Sequence, residues 1–95
     1  MATFEWDPAN LQMLPEHLRD GMQRYIEKGI NPGAGLRSIL MDGRLSLVVT
    51  ACDAQTVAAL REIYLFLYNR APGAAWGSQT RVAEWVAAGG IEGQS

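Results

Sequence analysis

Apolar side chains recur at helical spacing along most of the chain. Leu14, Leu18, Met22, Tyr25 and Ile26 form one stripe, and Glu16, Arg19, Asp20, Gln23, Arg24, Glu27 and Lys28 cover the other faces. That pattern predicts an amphipathic helix, with Asp20 and Arg24 as an i,i+4 pair of favourable polarity. Pro15 suits its opening and Gly29 its left-handed close, with Ile30 placed for the apolar contact of a Schellman ending. Asn31 and Pro32 then read as cap and first residue of a second, short helix carrying Leu36, Ile39 and Leu40. Asp42 and Gly43 interrupt it.

Leu45 to Cys52 fits two periods. Leu45, Leu47 and Val49 alternate as a strand would, whereas Leu45, Val48, Val49 and Cys52 fit a helix. A lone strand would leave its backbone groups unpaired, so the helix is preferred. Asp53 caps a helix expected to run unbroken from Ala54 to Asn69, whose second half (Ile63, Tyr64, Leu65, Phe66, Leu67, Tyr68) is apolar nearly all round. Such a helix sits at the centre of a core or at a subunit interface. Ala71, Pro72 and Gly73 end it. After a linker bearing Trp76, Ser78 caps a last helix with Val82, Trp85, Val86 and Gly89 on one side, and Gly89-Gly90 stops it. Residues 1–13 read as an N-terminal arm carrying Phe4, Trp6, Leu11 and Met13, with Asp7 and Pro8 placed to start one helical turn; its apolar residues are expected to pack on its own domain, with docking on a partner as the alternative. Residues 91–95 are expected to fray. The fold expected is all-α, a compact bundle of four to five short helices forming one domain over residues 1–95.

Composition narrows the function classes. The 95 residues carry eight basic and ten acidic side chains, a formal charge of −2. The basic residues are dispersed, which argues against a duplex DNA surface held by bulk electrostatics. A helix-turn-helix reading would rest on Arg37, Ser38 and Arg44 alone, a thin contact set. The single cysteine, Cys52, excludes an intrachain disulfide and points to a reducing, cytoplasmic setting. The N-terminus lacks a signal-peptide pattern. The longest strongly apolar run is far short of the ~20 residues of a spanning helix.

Catalytic inventories are thin. With one histidine, His17, and one cysteine there is no zinc set, and neither a metal nor another cofactor is expected. Cys52 lies in an apolar segment, where a thiol is ordinarily inert. Glu16 and Asp20 share their helix face with Arg19 and Arg24, the pattern of a solvated, salt-bridged surface. No catalytic residue is assigned, and a non-enzyme is expected. Gly33, Gly35 and Arg37 form a weak candidate anion site, lacking the lysine and preceding strand of a phosphate loop. The aromatic residues are the stronger signal. Tryptophan and arginine dominate interface hot spots, so Trp6, Arg24, Arg37, Arg70 and Trp76 are the candidate partner-binding residues. The apolar helix ending at Asn69 adds a homo-oligomer, a dimer, as an expected state.

Three stretches carry a resemblance: Arg24 to Gly33 (RYIEKGINPG), Phe66 to Pro72 (FLYNRAP), and Trp76-Gly77-Ser78 followed by Trp85. In order and spacing they resemble a group of small proteins encoded by phages and prophages of proteobacteria, over residues 14–88. Asp42 to Cys52 departs from that pattern in its β-branched content. The resemblance implies a context rather than catalytic residues: an accessory protein that binds and disables a host protein, such as a CRISPR or nucleotide-signalling defence component. The alternative is an oligomer that sequesters a nucleotide or other anion at Gly33, Gly35 and Arg37. A DNA-binding regulator is the third reading.

Overall fold

Local stop and start signals set the architecture of the computed structural model, which describes residues 6–43 and 45–94 and only the backbone of Leu45. Phe4, Arg44 and Ser95 lie outside the described residues. The helices are α1 (Glu16–Lys28), α2 (Ala34–Leu40), α3 (Leu45–Ala51), α4 (Ala54–Ala58), α5 (Leu60–Arg70), α6 (Gln79–Ala88) and α7 (Gly90–Gly93). Two 3-10 segments, Pro8–Met13 and Gly73–Ala75, complete the order. The all-α expectation holds, with more and shorter helices than four or five. The Cα radius of gyration is 12.4 Å, matching the ~12 Å of a chain this long packed around one core.

Capping follows the sequence closely. Asp7 accepts from the Ala9 N–H, Asp53 from Thr56 and Ser78 from Arg81. Gly29 (φ 69°) and Gly89 (φ 80°) end α1 and α6 in the left-handed region, which glycine enters without a Cβ penalty. Ile30 makes no Schellman staple: it is 46% exposed. The second helix starts later than Asn31-Pro32 suggests. Asn31 Oδ1 accepts from the Gly33 N–H, and Gly33 becomes the N-cap of α2. The Asx turn thus takes up the residues assigned to a first helical turn.

The core gathers one stripe from each longer helix: Met22, Tyr25 and Ile26 of α1, Leu36, Ile39 and Leu40 of α2, Ile63, Phe66 and Leu67 of α5, and Val82 and Trp85 of α6. Tyr25 is its polar node. Its buried hydroxyl donates to the Ala75 carbonyl, and its own carbonyl accepts from Trp85 Nε1 at 2.9 Å. Burial pushes the phenol pKa far up, partly offset by the nearby positive charge of Arg37. Segment 45–51 is helical, burying Val48 and exposing Leu47 and Val49. It packs on α2 through Gly35, where a Cβ would stand 3.0 Å from the Ala51 carbonyl oxygen.

Two expectations need correcting, the unbroken helix over 54–69 and the frayed C-terminus. The helix over 54–69 is divided at Ala59, whose N–H bonds back three residues to Thr56 in a tightened turn. No glycine or proline marks the break, so local propensity does not reveal it. The N-terminal arm, by contrast, packs on its own domain as expected. Its 3-10 helix packs against α1 and α5, burying Leu11, while Leu14 is buried just beyond it. This covers part of α5 that looked destined for another subunit. Finally, of residues 91–95, expected to fray, Ile91 to Gly93 belong to α7, which packs on α1. The contact is backbone to backbone: a Cβ on Gly90 (φ 69°) would lie 2.6 Å from the Gly29 and Lys28 nitrogens, and one on Gly29 would lie 2.7 Å from the Gly90 nitrogen.

Candidate functional site

The C-terminal end of α5 and the loop after it form an aromatic corner. Ala71 leaves the helix in extended conformation, and Pro72 starts the 3-10 turn that delivers Trp76 back under α5. Tyr68 stands edge-on to Trp76 with centroids 4.8 Å apart, and Tyr64 lies on it at 6.5 Å. Trp76 is 9% exposed and Tyr68 is 74% exposed. The pair is therefore a buried indole supporting an outward phenol. Arg81 of α6 clamps the loop, its Nη1 donating to the carbonyls of Gly73 and Trp76 at 3.3 Å each. Asp42, Tyr68, Trp76 and Arg81 line an open cavity of about 410 Å³. Burial raises the Tyr64 pKa, helped by the negative charge of Asp42. Leu65, one turn before Tyr68, is also exposed and extends the apolar patch along α5.

A second, smaller cavity of about 260 Å³ lies between the start of α2 and the face of α6. Its lining is Asn31, Pro32, Arg37, Val82, Ala83 and Val86. Arg37 is half-buried there. Among the described residues no carboxylate lies within ion-pairing distance of it.

The structure disperses the five residues read as partner-binding. Trp6 is half-buried and occupied: Nε1 donates to Glu27 Oε2 at 2.9 Å, and its ring meets Phe66 edge-on at 6.0 Å. Trp76 is a core residue, so its role is support rather than contact. Arg24 is exposed and paired with Asp20 at 2.8 Å, as the i,i+4 spacing predicts. Arg70 is exposed in the last turn of α5, two residues from Tyr68. Arg37 belongs to the other cavity. Of the anion-site glycines, Gly35 is used for helix packing and Gly33 for the turn into α2, and neither lines the Arg37 cavity. As a recognition helix α2 is poorly placed, with Leu36, Ser38, Ile39 and Leu40 all buried.

Cys52 is half-buried, its thiol donating to the Gly35 carbonyl at 3.3 Å. His17 Nε2 pairs with the Thr56 hydroxyl at 2.9 Å, with Asp53 at 3.9 Å. Its environment is thus the cap of α4. Bonds from the Thr56 hydroxyl and N–H hold the Asp53 carboxyl below its ordinary pKa. No group of three or more His, Cys, Asp or Glu among the described residues is arranged to hold a metal. Among them, too, no helix is long and apolar enough to cross a membrane. Sequence reasoning missed Tyr68 and Arg81. The available signal for Tyr68 was the excess of apolar residues around α5: a helix that buries one stripe, Ile63, Phe66 and Leu67, cannot hide Leu65 and Tyr68 as well. No family model, no curated protein and no solved structure matches this chain.

Proposed function

We propose that this chain is a non-catalytic protein-binding module whose contact surface is the Tyr68 corner. The observation that carries the reading is an aromatic side chain, 74% exposed, packed edge-on against a buried tryptophan. Such a side chain offers a large contact area at little cost in rotamer entropy, and aromatic residues and arginine are enriched in hot spots. Leu65, three residues before Tyr68 and therefore on the same side of α5, supplies an apolar flank. The resemblance to phage- and prophage-encoded proteins supports a host protein as the partner, with a defence component as its class and the host cytoplasm as the setting. Self-association of two copies through the same face is the alternative, separated by the mass in solution at micromolar concentration.

Affinity capture from a proteobacterial lysate tests the reading, comparing wild type, Tyr68→Ala and a tag-only control. The expected result is a stoichiometric protein held by wild type and absent from the other two. Retention of the same protein by Tyr68→Ala would overturn the assignment of the surface.

A further inference from the structure

Arginine side chains that are partly withdrawn from water ordinarily find an anionic partner, because an unpaired guanidinium gives up hydration without return. Arg37 has no such partner among the described residues. It stands in the wall of the 260 Å³ cavity, and the other walls are mostly apolar: Pro32, Val82, Ala83 and Val86. Asn31 is the remaining polar member. Its Oδ1 is committed to the Gly33 N–H, which leaves the amide N–H groups as donors. One positive fork, one neutral donor and an aliphatic wall select a carboxylate with an apolar body.

We infer that the cavity between α2 and α6 binds a short-chain aliphatic carboxylic acid in its ionised form. The Arg37 guanidinium takes the carboxylate through parallel N–H bonds, the geometry this side chain favours. The Asn31 amide N–H donates to the same group, and Val82 and Val86 cover the alkyl chain. The cavity falls just below the ~300–1,000 Å³ of drug-sized sites, which suits a small acid. A free acid is favoured over a peptide C-terminus because the described residues contain no strand edge to pair with a peptide backbone. This site is separate from the Tyr68 corner, and its test leaves that reading untouched.

The test is an amide NMR titration of the full chain with sodium hexanoate, hexanamide, inorganic phosphate and the tripeptide Gly-Gly-Leu. Saturable shifts at Asn31, Arg37, Val82 and Val86 are expected with hexanoate, with a Kd on the order of 1 mM. Hexanamide and phosphate bind at least about tenfold more weakly, since each lacks half of the recognition. Arg37→Gln loses hexanoate binding to the same degree. Val86→Glu, at a wall position that is already exposed, does so by placing a like charge at the site, and it decides the matter if Arg37→Gln does not fold. Equal binding of hexanamide or of phosphate, tighter binding of the tripeptide, or undiminished hexanoate binding by Val86→Glu would overturn the inference.

Discussion

Replacing Gly90 by alanine tests the packing of the C-terminal turn on α1. Two costs add at this position. The residue sits at φ 69°, where an L side chain loses roughly 1–2 kcal/mol. The new Cβ would also stand 2.6 Å from the Gly29 and Lys28 nitrogens and from the Glu27 carbonyl carbon. These are backbone atoms of a helix end, so relief requires moving α7 off α1, with an overpacking cost of about 1–3 kcal/mol. A total near ~3 kcal/mol lowers the melting midpoint of a domain this size by roughly 12–24 °C. Thermal unfolding followed by circular dichroism at 222 nm measures it. Gly21→Ala is the matched control: a Cβ there meets nothing within 4 Å, and the residue lies inside α1. Removing a mid-helix glycine stabilises by about 0.5–1 kcal/mol, so that midpoint rises. A Gly90→Ala midpoint equal to wild type would refute the backbone contact between α7 and α1.

Other expected outcomes follow from the same geometry. Tyr25→Phe leaves the Ala75 carbonyl without its donor, and denaturant unfolding should show a loss of about 1–3 kcal/mol. Tyr68→Ala removes one member of an aromatic pair from an exposed position and costs at most ~1.5 kcal/mol by the same assay, so its binding phenotype is not a folding phenotype. The lowered Asp53 pKa means that its stabilising contribution is present above the ordinary value of 3.8 and lost as pH falls through the lower folded value. The midpoint of Asp53→Asn should therefore fall less than that of wild type between pH 5 and pH 2, and parallel curves would contradict the role of the Thr56 bonds.

The parts of this fold that were legible in the sequence are those fixed by local chemistry. Asp7, Asp53, Ser78, Gly29 and Gly89 each hold a helix end because a side-chain oxygen or a left-handed φ is needed there, and residue type announces both. The α1 stripe was legible for the same reason, being a period. Long-range effects were hidden. Nothing local distinguishes Trp6, drawn inward by Glu27 twenty-one residues away, from a tryptophan on an arm that reaches a partner. Gly90 reads as a stop signal, and only the approach of α1 shows that it is also a packing surface. The site suffered most: Arg37 was legible as a charge near an anion-binding pattern, but its cavity is made by α6, forty-five residues further on at Val82. Tyr68 looked like core because its neighbours are.

Hydrogen–deuterium exchange of the full chain with and without its captured partner shows whether the Tyr68 corner is the contact surface. The partner is expected to slow exchange over residues 65–77, in the last turns of α5 and the loop that carries Trp76. Protection confined to α1 or to the α2–α6 cavity, with residues 65–77 exchanging as in the free chain, would contradict it.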